Sequence, residues 1–154
     1  FSDIFQNNTT IDSLSLTSCY GVSGYLLQLF DLLCYNKYIK TLEISGHYAL
    51  ESVAIGKIIS SNNKITHLTL ELLMNTNDIF LALCVNKTIR CFCLNQSVIE
   101  PICVSNMFQY NTTLTHIDIS NNKYDRWYDF VDDIKHLRNN QTLQYLNLNK
   151  LLVF

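Results

Sequence analysis

The sequence predicts an α/β solenoid of about six strand-helix repeats, with a parallel sheet on the inner, concave face and helices on the outer, convex face. Three observations predict it. Asparagine recurs at a nearly fixed interval, the apolar residues around each recurring Asn keep one pattern, and the strand within each copy is too short to be stable without a neighbour.

The marker asparagines are Asn8, Asn36, Asn62, Asn86, Asn111 and Asn140, separated by 28, 26, 24, 25 and 29 residues. Three residues before each stands an apolar one: Phe5, Leu33, Ile59, Leu83, Phe108 and Leu137. Three after each comes another: Ile11, Ile39, Ile65, Ile89, Leu114 and Leu143. At plus six and plus eight follow Leu14/Leu16, Leu42/Ile44, Leu68/Leu70, Phe92/Leu94, Ile117/Ile119 and Leu146/Leu148, so all 24 apolar slots are filled. With 48% hydrophobic residues and 17 Asn in 154, such agreement arises by chance on the order of once in a million.

Each part of the unit has a physical role. The alternation at plus six and plus eight is a half-buried strand of period two, which is shielded only if copies pair side by side. Ahead of each Asn lies apolar spacing of helical period, as in Leu26, Leu29, Phe30 and Leu33, or in Trp127, Phe130, Val131, Ile134 and Leu137. Each such helix covers the strand layer from outside. The Asn falls where that helix must stop, and Asn tolerates the left-handed conformation common at helix C-termini. Glu100 and Pro101 start the fourth helix, since Pro suits a first helical position. No linker or composition shift divides the chain, so residues 1–154 read as one domain. The chain opens in the last turn of a helix around Ile4 and Phe5 and closes on Leu151-Leu-Val-Phe154. Neither end caps the stack, which suggests a fragment of a longer repeat protein or ends covered by self-association with a second copy.

Composition narrows the function. Eleven basic against 13 acidic residues give a net charge of -2, without the broad positive field that a nucleic-acid partner requires. No stretch approaches the ~18 to 20 uninterrupted apolar residues of a membrane span. Six cysteines, including Cys91 and Cys93 two apart on a strand, read as reduced thiols in a reducing, cytoplasmic setting. No targeting segment is visible at the N-terminus as given.

Stretches such as Asn111-Thr-Thr-Leu-Thr-His-Ile-Asp-Ile-Ser-Asn-Asn122 and Asn140-Gln-Thr-Leu-Gln-Tyr-Leu-Asn-Leu-Asn149 resemble leucine-rich repeats. The spacing of 24 to 29 with a helix in each unit is similar to the ribonuclease-inhibitor-like subclass, and the resemblance covers nearly the whole chain. It implies a right-handed, curved leucine-rich repeat solenoid that recognises a protein or peptide. One departure stands out. The family's repeat usually carries Asn or Cys three residues after the second strand leucine, where this chain has Cys19, His47, Leu73, Ser97, Asn122 and Leu151. Only Cys19 and Asn122 match, so an incomplete hydrogen-bonded ladder is expected along that turn.

Strand residues that point away from the core line the candidate binding face. In chain order they are Ser13, Ser15, Thr17; Thr41, Glu43, Ser45; His67, Thr69, Glu71; Cys91, Cys93, Asn95; His116, Asp118, Ser120; and Tyr145, Asn147, Asn149. Glu43, His67, Glu71, Cys93, His116, Asp118 and Tyr145 are the partner-binding candidates, because charged and aromatic groups on a rigid sheet suit recognition. The competing reading is a row of solvated strand positions filled by anything polar.

Other constellations are weaker. His67, Cys91 and His116 share a row, with Cys93 and Asp118 beside them, and zinc accepts such ligands. The two histidines, however, are two strands and ~10 Å apart, so both rings would have to lean inward. A Cys91-His nucleophile pair lacks an evident oxyanion donor or enclosed cleft. Cys34, Cys84 and Cys103 sit where small apolar thiols pack in a core. The Trp127, Phe130, Ile134 stripe reads as the buried face of the fifth helix, with Asp125, Asp129, Asp132 and Asp133 on its solvated side and Tyr124 and Tyr128 nearer the edge. Asn7, Asn8, Asn86, Asn95, Asn111 and Asn140 satisfy Asn-x-Ser/Thr, a pattern that the repeat itself generates. The expectation is therefore a non-catalytic protein-protein interaction module, with no cofactor or metal and with a protein or peptide partner. The alternative is a substrate-receptor or regulatory arm of a larger protein, of ubiquitin-ligase adaptor or GTPase-activating type.

Overall fold

The computed structural model describes residues 8–17, 23–45, 52–73, 75–124 and 134–153. Strands and helices alternate: β1 Ser13–Thr17, α1 Ser23–Tyr35, β2 Thr41–Ser45, α2 Ser52–Ser61, β3 His67–Glu71, α3 Asn77–Val85 and β4 Cys91–Asn95. Then follow β5 Val98–Ile99, α4 Pro101–Tyr110, β6 His116–Asp118, β7 Lys123–Tyr124, a 3-10 helix Ile134–Asn139, β8 Tyr145–Asn147 and β9 Leu152–Val153. β1, β2, β3, β4, β6 and β8 form one six-stranded sheet in that order, and every pairing is parallel. Equivalent positions of successive repeats are partners: Leu42 opposes Leu68, Leu68 opposes Phe92 and Phe92 opposes Ile117. The six-strand parallel stack expected from the asparagine interval is therefore present, in the register the interval sets.

The core lies between sheet and helices. Leu42, Ile44, Leu68, Leu70, Phe92, Leu94 and Ile117 meet Leu33, Ile55, Ile59, Ile79, Leu83, Val104 and Phe108, all buried. Phe80 of α3 meets Phe92 of β4 edge to face, with centroids 5.9 Å apart. Shielding is less complete in the outermost repeats, where Leu14, Leu16, Leu146 and Leu148 are half-buried against the same core.

The marker asparagines act differently from expectation. Asn86 and Asn111, which follow α3 and α4, have extended backbones (φ -63 and -75) and not left-handed ones. Their side chains explain the requirement for Asn. Oδ1 of Asn86 accepts the N–H groups of Thr88 and Ile89, at 2.9 and 2.7 Å, while Nδ2 donates to the Ile59 carbonyl at 2.7 Å, at the end of the previous helix. Asn62 does the same with Lys64, Ile65 and Leu33, and Asn111 with Thr113, Leu114 and Leu83. Asn140 repeats it with Thr142, Leu143 and Phe108. The amide thus turns its own chain into the next strand and ties it to the preceding repeat, a pairing of donor and acceptor that Asp or Leu cannot supply. Left-handed backbone occurs instead at plus ten, in Leu72, Gln96, Asn121 and Lys150 (φ 63, 50, 56 and 54), just beyond the strand.

Three further expectations are corrected. A second, three-stranded parallel sheet, β5-β7-β9, runs beside the first and was not anticipated. Tyr124, expected near an edge, is fully buried within it. Ser97 serves as a rung of the turn ladder although it is neither Asn nor Cys: its hydroxyl accepts the Leu73 N–H at 3.0 Å, and its own N–H donates to Asn122 Oδ1 at 2.8 Å. The fifth helix is described only as the 3-10 turn Ile134–Asn139. Trp127, Tyr128, Phe130, Val131 and the four flanking aspartates lie outside the described residues, as do Ile4, Phe5, Asn7, Cys19 and His47. α4 begins at Pro101, as expected.

Candidate functional site

The period-two strands bury one set of side chains under the helices and leave the other set on an open face. Register arranges the open set in rows. The first row runs Ser13, Thr41, His67, Cys91, His116, Tyr145, and the second Ser15, Glu43, Thr69, Cys93, Asp118, Asn147. A third row is in two pieces, Thr17 beside Ser45 and Glu71 beside Asn95. β6 and β8 are only three residues long, and Ser120, expected on the face, is buried in the turn after β6.

All seven candidate contact residues fall on this one face. His67, His116 and Tyr145 are exposed, while Glu43, Glu71, Cys93 and Asp118 are half-buried. The histidines are held alike: Nδ1 of His67 lies 2.9 Å from Thr66 Oγ1, and Nδ1 of His116 lies 2.9 Å from Thr115 Oγ1. Each of those hydroxyls also reaches the carbonyl of the preceding repeat, Lys40 at 3.3 Å and Arg90 at 3.2 Å. When the hydroxyl donates to that carbonyl, the neutral imidazole carries its proton on Nδ1 and turns the Nε2 lone pair away from the Thr. Tyr145 stacks on His116 with centroids 5.8 Å apart and planes 24° from parallel.

The carboxylates are braced by neighbours. Glu43 accepts from the Ser15 hydroxyl at 3.0 Å, and Glu71 from Gln96 Nε2 at 2.6 Å. Asp118 accepts the Ser120 N–H and Asn147 Nδ2, each at 2.9 Å. Burial pushes the Asp118 carboxyl up, but hydrogen bonds from the Ser120 hydroxyl and N–H and from Asn147 outweigh it and hold the group below its ordinary value. Burial raises the Cys93 thiol, and the nearby Asp118 charge raises it further. Cys93 is therefore more firmly protonated than an ordinary cysteine, which is the opposite of an activated nucleophile. Among the described residues, no group of three or more His, Cys, Asp or Glu side chains is placed to hold a metal ion. Cys34, Cys84, Cys91, Cys93 and Cys103 are free thiols. No described helix is long and apolar enough to cross a membrane.

Sequence reasoning missed the row at plus four from each Asn, immediately before the strands. It consists of Asp12, Lys40, Thr66, Arg90, Thr115 and Gln144, joined by a ladder in which two consecutive N–H groups share one carbonyl. Thr66 and His67 N–H groups both reach the Lys40 carbonyl, at 2.8 and 3.0 Å, and Thr115 and His116 both reach that of Arg90, at 2.9 and 3.0 Å. The signal was available in the same asparagine numbering.

Fold and face together define a repeat solenoid that presents one open face of a parallel sheet. No family model matches the chain, and no curated protein does. Among solved structures, the chain is similar to leiomodin-1 actin-binding site 2, with 16% identity and a TM-score of 0.50 over 95% of this chain and 75% of that one. At that identity the likeness shows the fold alone.

Proposed function

We propose that this chain is a leucine-rich repeat module, of the ribonuclease-inhibitor-like subclass, that recognises a protein or peptide partner on its concave face without catalysis. The observation that carries the reading is the row arrangement: Glu43, His67, Glu71, Cys93, His116, Asp118 and Tyr145 share one open, hydrogen-bonded face. A preformed sheet loses little conformational entropy on binding, and many small contacts spread over it favour a broad partner over a small molecule. The similar structure belongs to an actin-binding site, which supports a protein-interaction role for such an arc in general. The openness of the face, without an enclosed cleft, argues against thiol catalysis. Five free thiols among the described residues suit a reducing, cytoplasmic setting.

The test is partner capture from cell extract by wild type and by Glu43→Lys, Glu71→Lys and Asp118→Lys combined. The reading expects capture to be lost while the thermal unfolding profile is kept. Unchanged capture would move the interface off this face.

A further inference from the structure

The open face is electrically divided, and the division indicates what kind of segment it accepts. None of the strand residues of the six-stranded sheet is Lys or Arg, whereas Glu43, Glu71 and Asp118 are carboxylates on it. Immediately before the strands the row begins with the carboxylate Asp12 in the first repeat, and from the second repeat to the fifth the charged residues on it are cations. Lys40 and Arg90 are exposed on the plus-four row, alternating along the stack with His67 and His116 at the first strand position. Lys40 and Arg90 have no ion-pair or side-chain hydrogen-bond partner among the described residues.

An ordinary structural role accounts for some nearby cations and not for these. Lys37, Lys64 and Lys87 fall within three residues after the ends of α1, α2 and α3, where the negative end of each helix dipole attracts positive charge. Lys40 and Arg90 instead sit at the entry to β2 and β4, with Thr66 between them in the ladder. Two strand spacings separate them, ~10 Å, and the line from Lys40 to His116 covers three spacings, ~14 Å. A peptide in the extended polyproline II form advances ~3.1 Å per residue with three residues per turn, so carboxylates three residues apart stand on one side ~9 Å apart and match Lys40 and Arg90, and four or five residues cover the line.

We infer that the strand-entry row Lys40–His67–Arg90–His116 binds an acidic segment of the protein partner, laid across the strands in extended form. The inference rests on the concave-face reading and adds to it the partner's chemistry. Carboxylates of the segment meet Lys40 and Arg90, with the imidazole of His67 between them and that of His116 beyond Arg90. Neutral or basic residues on its other side are tolerated over Glu43 and Asp118, which repel a segment shifted deeper onto the sheet. The two charge signs thus fix the register of the bound chain across the face.

The experiment is fluorescence anisotropy with two labelled octapeptides, one with Glu at every third position in a Ser background and one with Lys at the same positions. Titrations use wild type, Lys40→Glu/Arg90→Glu, the milder Lys40→Gln/Arg90→Gln, and Lys57→Glu on the helix side as control. The expected result is that the Glu peptide binds wild type at least about tenfold more tightly than the Lys peptide, and more weakly as salt rises. Both double variants should lose that preference, and Lys57→Glu should keep it. Equal binding of the two peptides, an unchanged preference in the Gln variant, or equally tight binding of an oligothymidylate of matched charge would overturn the inference. Such a failure is distinguishable from failure of the concave-face reading, which unchanged partner capture by the Glu43, Glu71 and Asp118 variant reports.

Discussion

At the scale of single residues, the repeat asparagines hold the stack by hydrogen bonding. Asn86 is 6% exposed, and replacing it with Ala leaves the Ile59 carbonyl and the Thr88 and Ile89 N–H groups without their partner. The expected cost in urea unfolding is about 2–4 kcal/mol, since two buried polar groups and one half-buried one lose a bond each and water relieves only part of it. Asn86→Asp should also destabilise, because the acceptor survives while the donor to Ile59 does not. A variant as stable as wild type in either case would remove the asparagine from this role. The plus-ten residues make a second test. Gln96 at φ 50 should tolerate Gly and resist the β-branched Val, with Gln96→Val about 1–2 kcal/mol less stable than Gln96→Gly. Asp118 predicts a pH dependence. Its folded value lies below the unfolded one, so its stabilising contribution is complete above the ordinary carboxylate range and is lost as pH falls through it. Asp118→Asn should therefore flatten the stability-pH curve below about pH 4 and change little near neutrality. An identical acid slope in the two proteins would contradict the bracing seen around this carboxylate.

Among the elements, α2 and α3 are packed closely enough for one glycine to matter. A Cβ at Gly56 would stand 3.0 Å from the Asp78 carbonyl oxygen and 3.2 Å from its carbonyl carbon and Cβ, in the first turn of α3. That turn has little freedom, since Asp78 also accepts the buried Ser52 hydroxyl at 2.5 Å. Ala is favoured over Gly in a helix by ~1 kcal/mol, but here the backbone of the neighbouring helix obstructs it. Gly56→Ala should lower stability by about 1 kcal/mol, whereas Ser61→Ala at the exposed end of α2 should not; a stabilised Gly56→Ala would mean that α3 can yield. The elements also show what was legible in advance. Strand positions, partners and the shared face of Glu43, His67, His116 and Asp118 followed from counting along the asparagines, because a parallel stack converts equal offsets into lateral neighbours. β5, β7 and β9 did not follow, since two residues carry no periodicity from which to read a strand. Tyr124 was misplaced for the same reason, its burial depending on pairing of β7 with β5 and β9. The asparagine conformation was misjudged because helix ends favour left-handed Asn in general, whereas here the inter-repeat hydrogen bonds favour an extended backbone. Ser97 was passed over as a rung because a small hydroxyl can replace an amide only where the next N–H is already close, a distance that no sequence displays.

For the molecule as a whole, every functional statement depends on the repeats stacking in parallel with equivalent residues side by side. That stacking places His67 beside Cys91 and Cys91 beside His116, and brings Lys40, Thr66 and Arg90 into one ladder. It also makes stability collective, because each strand is shielded only by its neighbours and the core is continuous from Leu29 to Tyr124. A defect in a central repeat such as Asn86→Ala should therefore weaken hydrogen-exchange protection in β3 and β6 as well as β4, while the same change at Asn8 stays local. The most direct check is NMR on methyl-labelled protein, reading contacts between neighbouring strands. The account predicts cross-peaks joining Leu42 to Leu68 and Leu70 to Leu94, offsets of 26 and 24 residues along the chain. Cross-peaks at other offsets, or in the mirrored order of antiparallel strands, would contradict it.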